Sequence, residues 1–347
     1  MKLLILTQKV DKEDPILGFF HGWIIELSKR FEDISVICLE KGKFDLPKNV
    51  KVFSLGKEFG GSKIKYVKNF FSLILGLREE YNSVFVHMNQ EYVLLGGFFW
   101  RIMHKKIFLW RNHPNGNFLT RIAILLSNKV FYTSKFAFVA KYKKTEIMPV
   151  GIDTSIFNTE LRIKNYELCK RKILFLGRMS PIKKPDLLIE ALDILNKRET
   201  NFLCDFYGDP LLKDRPYYNS LKKRVGKLKL EERVNFYPAV PNYKTPEIYR
   251  EHEIFVNLTP SGSFDKTILE AAACGCLPVV ANHSLSGEVD GRLIMGRLEP
   301  EKIAEKIEFW LSAKEDEKIV ILEKLQNYVL KNHSLDALMD EICSEIS

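Results

Sequence analysis

Short apolar runs alternate with longer stretches of helical periodicity along the chain. In the first half, such runs include Leu3–Leu6, Ser83–His87 and Lys106–Trp110, and the alternation restarts at Ile173–Leu176 and continues to Leu277–Ala281. Continuous apolar runs are typical of parallel strands buried on both faces, and strands that alternate with helices predict right-handed crossover units. The pattern therefore predicts two successive, doubly wound α/β domains.

Domain boundaries follow from the places where the alternation stops. A turn at Met148–Asp153 leads into Thr154–Lys170, where the periodicity is weak, and the chain after Leu293 is helical to its end. We therefore expect an N-terminal domain at residues 1–157, a second domain at 158–330 and a helix within 331–347. Ligands of doubly wound sheets bind outside the carboxyl ends of the strands, so two facing domains would hold a ligand in the cleft.

Composition and charge narrow the class of protein. The chain has 46% hydrophobic residues but no run of 18 apolar residues, so we expect no transmembrane helix. Six cysteines without a Cys-x-x-Cys pair indicate the reduced thiols of a cytoplasmic protein. Residues 1–157 carry a net charge of +10 while the whole chain carries +9, which indicates either an anionic partner, such as a membrane surface, or a solvated basic surface. No nucleic-acid reader motif is present, so no nucleic-acid partner is expected.

The stretch KIKYVKNFFSLILGLR, residues 63–78, has two interpretations. It is either a buried helix with a basic beginning in solvent, or a helix that lies on a membrane with its lysines at the head groups. Burial is favoured, because most apolar helices of α/β domains belong to the core.

Candidate chemistry concentrates in the second domain. Arg178 directly follows a buried strand and Lys183 lies five residues later, so both cations are expected at a strand's carboxyl end. A small-residue loop precedes a helix that starts near Thr267, whose free N–H groups suit an anion. Glu270, one turn into this helix, either complements the helix dipole or accepts hydrogen bonds from sugar hydroxyls. Together these residues predict a diphosphate cradle, whereas isolated loop cations would simply be solvated.

Several segments resemble a known family. They are GRMSPIKKPDLLIEAL and ILEAAACGCLPVV, with VPNYKTPEIYREHEIFVNL between them, PVGIDTSIF before them and FVHMNQEYVLLGG in the first half. They resemble the retaining nucleotide-sugar glycosyltransferases of GT-B fold, glycosyltransferase family 4 (group 1). The resemblance implies two facing Rossmann-like domains with the ligand site in the cleft between them, and a last helix that crosses back to the first domain.

The resemblance also implies roles for individual residues. The positions of Arg178 and Lys183 hold the donor diphosphate, Glu270 the nucleotide ribose and His87 the donor sugar. A glycine loop at Gly18 approaches the phosphates, and backbone up to Val240 faces the nucleobase. The implied catalytic set is His87, Arg178, Lys183 and Glu270, and the implied donor-binding set is Gly18, Gly177, Arg178, Lys183, Val240, Gly262, Ser263, Phe264, Asp265, Lys266, Thr267 and Glu270.

One position departs from the family pattern. Gly262 stands eight residues before Glu270, where the family usually has a glutamate that contacts the donor sugar. Asp265 is a candidate to replace that carboxylate, and Lys266 is a candidate to add charge at the diphosphate.

Three histidines are candidates on the first domain. His87 is expected to position donor hydroxyls or to stabilise positive charge near the anomeric carbon through its backbone carbonyl, and a core histidine is the alternative. His21 and His113 are acceptor-side candidates.

These inferences combine into a functional hypothesis. The chain lacks an Asp-x-Asp motif, so no metal and no cofactor are expected. We expect a metal-independent, retaining glycosyltransferase that moves a sugar from a UDP- or GDP-type donor to a glycan or lipid-linked acceptor in polysaccharide biosynthesis. The protein is expected in the cytoplasm, either free or attached peripherally to the inner face of the membrane. The alternative is a catalytically degenerate GT-B protein that binds a nucleotide sugar as a scaffold, and a nucleotide-sugar epimerase is a weaker third.

Overall fold

The computed structural model describes residues 1–159, 169–262 and 264–346, and the chain divides into two compact units. The first unit contains Met1–Gly151, Pro241–Tyr243 and the C-terminal Leu335–Ser347, and the second contains Ile152–Val240 and Lys244–Ser334. The boundaries expected after residues 157 and 330 lie a few residues from the junctions at Gly151 and Ser334.

Each unit has one parallel sheet. The strands are β1 (Lys2–Val10), β2 (Asp33–Lys41), β3 (Val50–Ser54), β4 (Ser83–His87), β5 (Lys106–Trp110), β6 (Lys129–Tyr132), β7 (Thr145–Ile147), β8 (Lys172–Leu176), β9 (Leu203–Tyr207), β10 (Val234–Tyr237), β11 (Ile254–Asn257) and β12 (Leu277–Val280). The first sheet has the order β3-β2-β1-β4-β5-β6-β7 and the second β10-β9-β8-β11-β12. The predicted class, α/β with two doubly wound Rossmann-like sheets, is confirmed.

Helices cover the sheets. They are α1 (Phe19–Ser28), α2 (Lys63–Gly76), α3 (Gln90–Ile102), α4 (Phe118–Leu126), α5 (Pro185–Lys197), α6 (Arg215–Lys227), α7 (Thr245–Arg250), α8 (Lys266–Ala273), α9 (Pro300–Ser312), α10 (Glu315–Asn332) and α11 (Leu335–Ile346). Among the residues that the structure describes, no helix combines the length and the apolar character needed to cross a membrane.

The first sheet buries a different apolar cluster on each face, as the alternation of its central strand requires. On β1, Leu3 and Ile5 pack with α1 and α11, whereas Leu4 and Leu6 pack with α2, α3 and α4. The order of the strands explains the layers, because the chain winds to one side from β1 to β3 and to the other side from β4 to β7. Trp23 of α1 and Leu338 of α11 share one cluster, so the C-terminal helix completes the core of the first unit.

The second unit contains an ion pair in its interior. Lys318 of α10 donates to Glu253 at 2.6 Å, and the backbone N–H of Arg171 donates to the other carboxylate oxygen at 2.5 Å. Both charged side chains are buried, and the pair joins α10 to the start of β8. A buried pair of this kind is costly to break from one side, because the remaining charge is left without a partner.

Each sheet has a point at which the winding direction reverses. In the first sheet it lies between the neighbouring strands β1 and β4, and in the second between β8 and β11. Loops that leave two such strands diverge and open a crevice at their carboxyl ends, which is where open α/β sheets bind ligands. The two switch points are therefore the places to look for chemistry.

Candidate functional site

Two loops diverge from the switch point of the second sheet. The chain leaves β8 through Gly177 and Arg178, and it leaves β11 through a loop that leads into α8. The backbones of two neighbouring loops also come close together: a Cβ atom added to Gly208, which follows β9, would lie 1.9 Å from the carbonyl oxygen of Gly177. Only glycine allows this approach at Gly208, where φ is +148°.

The two predicted cations occupy the β8 side of this crevice. Arg178 is exposed, and its guanidinium forms no hydrogen bond or ion pair with the residues that the structure describes. Lys183 ends the short 3-10 turn Pro181–Lys183, and its ammonium binds the carboxylate of Asp265. Arg178 therefore has no partner among the described residues, whereas Lys183 is held by Asp265 of the loop that leaves β11.

Asp265 is the centre of a polar network. Its carboxylate accepts hydrogen bonds from Asn257 Nδ2 at 3.0 Å, Thr259 Oγ1 at 3.1 Å and Thr267 Oγ1 at 2.8 Å, in addition to the contact with Lys183. Burial alone would raise the pKa of Asp265, but the Lys183 charge and the hydrogen bonds outweigh it and hold the pKa well below the ordinary value. The network fixes Asp265 as an anion and holds Lys183 at the switch point.

Helix α8 places an acid and a base at its first turn. Glu270 is only 2% exposed and accepts a hydrogen bond from Tyr249 Oη at 3.3 Å. Burial lowers the pKa of Lys266 to about 8, against the opposing effect of the carboxylates of Glu270 and Asp153. Glu270 and Thr267 share a helix face because they are three residues apart. The start of α8 thus combines the positive end of the helix dipole with a buried carboxylate.

The loop before α8 has a backbone conformation at residue 262 that disfavours the glutamate of the resembled family. Gly262 has φ of +152°, a region that glycine adopts freely and that side chains make costly. Phe264 packs against His333 with 5.8 Å between ring centroids. Burial lowers the pKa of His333 to about 4, and Tyr328 lies 2.9 Å from its Nε2 atom. Ser263, a predicted donor-binding residue, lies outside the described residues.

The predicted nucleobase segment follows β10. Tyr207 and Tyr237 stack at the ends of β9 and β10 with 4.6 Å between ring centroids. The backbone N–H of Ala239 donates to Asp209 Oδ2 at 3.1 Å, and Val240 next to it is half-buried. These contacts hold the segment at the carboxyl edge of the second sheet.

His87 lies at the switch point of the first sheet. Its Nδ1 atom is 3.2 Å from Thr7 Oγ1, which belongs to the neighbouring strand β1. The imidazole is 1% exposed and stacks on Phe20 with 3.9 Å between centroids, and Phe19 and Trp23 pack around it. The side chain therefore has the surroundings of the core histidine that was its alternative interpretation, and its backbone ends the strand.

The remaining first-unit candidates have local partners. Gly18 is the N-cap of α1. A Cβ atom added there would lie 2.5 Å from the carbonyl oxygen of Asp14, so the turn itself requires glycine. His21 Nε2 accepts a hydrogen bond from the Asp45 N–H at 3.1 Å. His113 is exposed, and its Nδ1 atom lies within hydrogen-bonding distance of the backbone of Asn115, two residues later.

Sequence reasoning missed three polar residues of the second unit's site: Asn257, Thr259 and Tyr249. The signal for Asn257 was available, since it is the only polar residue in the buried run IFVNL. Tyr249 has no such signal, because it lies on the short helix α7 and meets Glu270 only through the tertiary fold.

Fold and site together define a Rossmann-like α/β protein with a cationic crevice in its second unit, and comparisons with known proteins agree. Residues 158–324, just under half of the chain, match the family model described as Glycosyl transferases group 1. A segment is 31% identical over 146 residues to D-inositol 3-phosphate glycosyltransferase of Frankia alni, covering 39% of this chain and 35% of that protein. Another is 30% identical over 152 residues to mannosylfructose-phosphate synthase of Agrobacterium fabrum, covering 41% and 34%.

The chain thus spans about a third of the length of these curated relatives. The family description and the name of the Frankia relative are those of glycosyl transferases. Among solved structures, the Anabaena protein HepE, crystallised with UDP and glucose, has a TM-score of 0.78 at 18% identity and covers 100% of this chain and 99% of its own. At that identity, the likeness shows the fold.

Proposed function

We propose that this protein is a glycosyltransferase that moves a sugar from a nucleotide-diphosphate donor of UDP or GDP type to a glycan or lipid-linked acceptor. One observation carries the proposal: Arg178 and Lys183 lie at the switch point of the second sheet, together with the first turn of α8 and the buried carboxylate of Glu270. The names of the relatives, and the UDP and glucose bound to HepE, support a nucleotide-sugar donor.

The two cations suit a leaving diphosphate. A guanidinium binds two phosphate oxygens at once, and Arg178 is free to do so because it is exposed. Lys183 has three N–H donors, so it can keep Asp265 and still donate to a phosphate oxygen. These donors and the α8 dipole would offset part of the negative charge of the leaving group, which supports transfer without a metal ion.

Glu270 suits the ribose. The two oxygens of a carboxylate match the two neighbouring hydroxyls of a ribose, and Glu270 already accepts one hydrogen bond from Tyr249. Asp265, by contrast, already accepts from four side chains, and we propose that it positions Lys183 rather than holding the donor sugar. Retention of configuration and membership of family 4 are part of the proposal and rest on the sequence resemblance.

Donor binding is the first test. Thermal shifts with UDP, GDP, ADP and their sugars would be measured with magnesium and with EDTA, since a ligand at 100 times its dissociation constant stabilises by about 2.7 kcal/mol. Arg178→Ala and Lys183→Ala should each reduce the shift, while Lys197→Ala, an exposed cation on α5, should not. Wild-type shifts and turnover in both site variants would refute the phosphate assignment. A shift abolished by EDTA would refute metal independence.

Gly262 favours a second candidate, a degenerate protein that binds a nucleotide sugar without transfer. The glutamate that contacts the sugar in the family is absent, and φ at this position disfavours restoring it. Transfer to an acceptor, or slow hydrolysis of a bound donor, would exclude this candidate. The anomeric configuration of any product, read by NMR, would test retention.

The basic first unit suggests where the acceptor is held. Its excess of positive charge would favour a lipid-linked, anionic acceptor of polysaccharide biosynthesis and a cytoplasmic protein attached peripherally to the inner face of the membrane.

A further inference from the structure

Helices α2, α3 and α4 form one layer over the first sheet, and the solvent side of this layer is rich in apolar side chains. Ile64 is 81% exposed, Phe98 65% and Leu125 69%. We call this surface the α2–α4 face; its exposed apolar residues are Ile64, Val67, Leu75, Phe98, Phe99, Ile102, Phe118, Leu119 and Leu125. Single exposed apolar residues are ordinary, whereas so many on three neighbouring helices mark an interaction surface.

The expectation that α2 is a buried helix is only partly correct. Phe70 and Ile74 are buried, but Ile64, Val67 and Leu75 form a separate stripe that remains exposed. These residues recur at helical spacing, so they lie on one side of α2. The helix therefore has two apolar stripes, and only one of them belongs to the core.

Contacts between the helices make the face continuous. Phe71 of α2 meets Phe99 of α3 with 5.3 Å between ring centroids, and Phe98 lies next to Phe99 at 6.1 Å. Arg101 of α3 donates through Nε to the carbonyl oxygen of Leu126 at the end of α4, at 2.9 Å. The exposed aromatic and aliphatic side chains therefore belong to one packed layer rather than to separate elements.

The charges on the same helices have one predominant sign. The three helices carry five basic side chains, Lys63, Lys65, Lys68, Arg101 and Arg121, and one acidic side chain, Glu91. All five cations are exposed. Lysines that flank an apolar stripe are typical of helices that lie in a membrane interface with their cations at anionic head groups. A second copy of this face would bring like charges together, which disfavours self-association.

We propose that the α2–α4 face docks on the surface of an anionic phospholipid bilayer, with its apolar side chains in the head-group region and its cations on lipid phosphates. The proposal deepens the lipid-linked acceptor of the proposed function and rests on it for its biological purpose, but the docking itself needs neither donor nor transfer. Charge complementarity selects this occupant, because each cation near an anionic surface strengthens binding by about fivefold.

Sedimentation with vesicles of phosphatidylglycerol and phosphatidylcholine tests the proposal on the full chain, without donor or acceptor. Two variants remove the two contributions: the apolar variant Phe98→Ser/Ile102→Ser/Leu125→Ser and the charge variant Lys63→Glu/Lys65→Glu/Lys68→Glu. The control, Leu212→Ser/Val320→Ser/Leu330→Ser, removes exposed apolar residues of the second unit. All should keep the wild-type unfolding temperature and donor-induced shift, since none touches the crevice.

The wild type should bind anionic vesicles, and binding should fall at about 1 M salt, where the Debye length is about 3 Å. We expect at least tenfold weaker binding for the apolar variant and at least about hundredfold for the charge variant, because the loss of three cations alone contributes about fivefold each. No wild-type binding at low salt, or an equal loss in the control, would overturn the proposal. The proposal would also be overturned if the apolar and charge variants bound vesicles like the wild type but differed from it in self-association or in binding to an acidic protein. Normal vesicle binding without donor binding would instead count against the proposed transferase alone.

Discussion

Removing the charge of Asp265 should destabilise the second unit and disturb Lys183. Asp265→Asn keeps the size of the side chain but replaces an anion that accepts hydrogen bonds from four side chains. Hydrogen bonds to a charged group contribute about 1.5–3 kcal/mol, and both members of the ion pair are mostly buried, so we expect a loss of about 2–3 kcal/mol. For a unit of this size that corresponds to a fall of about 5–10 °C in unfolding temperature.

A double-mutant cycle measures the part of this loss that belongs to the ion pair. Unfolding of the wild type, Asp265→Asn, Lys183→Met and the double variant should show a coupling of at least about 1 kcal/mol. Because folding lowers the pKa of Asp265, its contribution is present above the carboxylate's ordinary pKa and is lost only as the pH falls below it, so the difference should be constant from about pH 5 to pH 8. Additive losses, or an unaltered Asp265→Asn protein, would refute the assignment.

Binding of the nucleoside diphosphate without its sugar separates two roles of Asp265. If the residue positions Lys183, Asp265→Asn weakens the diphosphate and the nucleotide sugar by the same factor. If it contacts the sugar, only the nucleotide sugar binds more weakly. Isothermal titration of both ligands decides between these roles, and an effect on the nucleotide sugar alone would overturn the positioning role.

Three further predictions follow from buried charged or titratable side chains. Glu270→Ala should weaken donor binding by about 1.5–3 kcal/mol in titrations, because ribose hydroxyls lose their acceptor, and an unchanged affinity would exclude the ribose role. Lys318→Met should cost about 3–5 kcal/mol in urea unfolding by leaving the buried Glu253 carboxylate without a countercharge, with part recovered in Lys318→Met/Glu253→Gln, and a loss below about 1 kcal/mol would contradict it. Folding lowers the pKa of His333 from 6.5 to about 4, so stability should decrease as the pH is lowered from 6.5 to 4, by at most about 1.4 kcal/mol per pH unit. His333→Gln should flatten this slope, and an unchanged slope would show that another group is responsible.

Local pattern was enough to predict the strands and the ends at which the cations lie. Arg178 follows a buried apolar run directly, so its place at the carboxyl end of β8 depends on only a few residues. The partner of Lys183 could not be predicted in this way, because Asp265 is 82 residues away and meets it only when β8 and β11 become neighbours. The resemblance instead makes Asp265 a candidate for sugar hydroxyls, because Gly262 stands where the family usually has its sugar-contacting glutamate.

The exposure of one apolar stripe of α2 has a similar cause. Its apolar content is high enough for a core helix, and periodicity alone does not tell which of two adjacent stripes meets the sheet. Burial is decided by the neighbouring helices: Phe71 contacts Phe99 of α3, while Ile64, at the start of α2, remains in solvent.

The two switch points differ in the charge they can offer a ligand, and this difference argues for the second unit as the donor side. At the first, the His87 ring lies within hydrogen-bonding distance of Thr7 and is enclosed by aromatic rings, so its side chain is buried. At the second, Lys183 and Asp265 neutralise each other while Arg178 remains exposed, which leaves one net positive charge beside a helix N-terminus. A diphosphate needs cations with unused donors, and the exposed guanidinium of Arg178 supplies them at the second switch point.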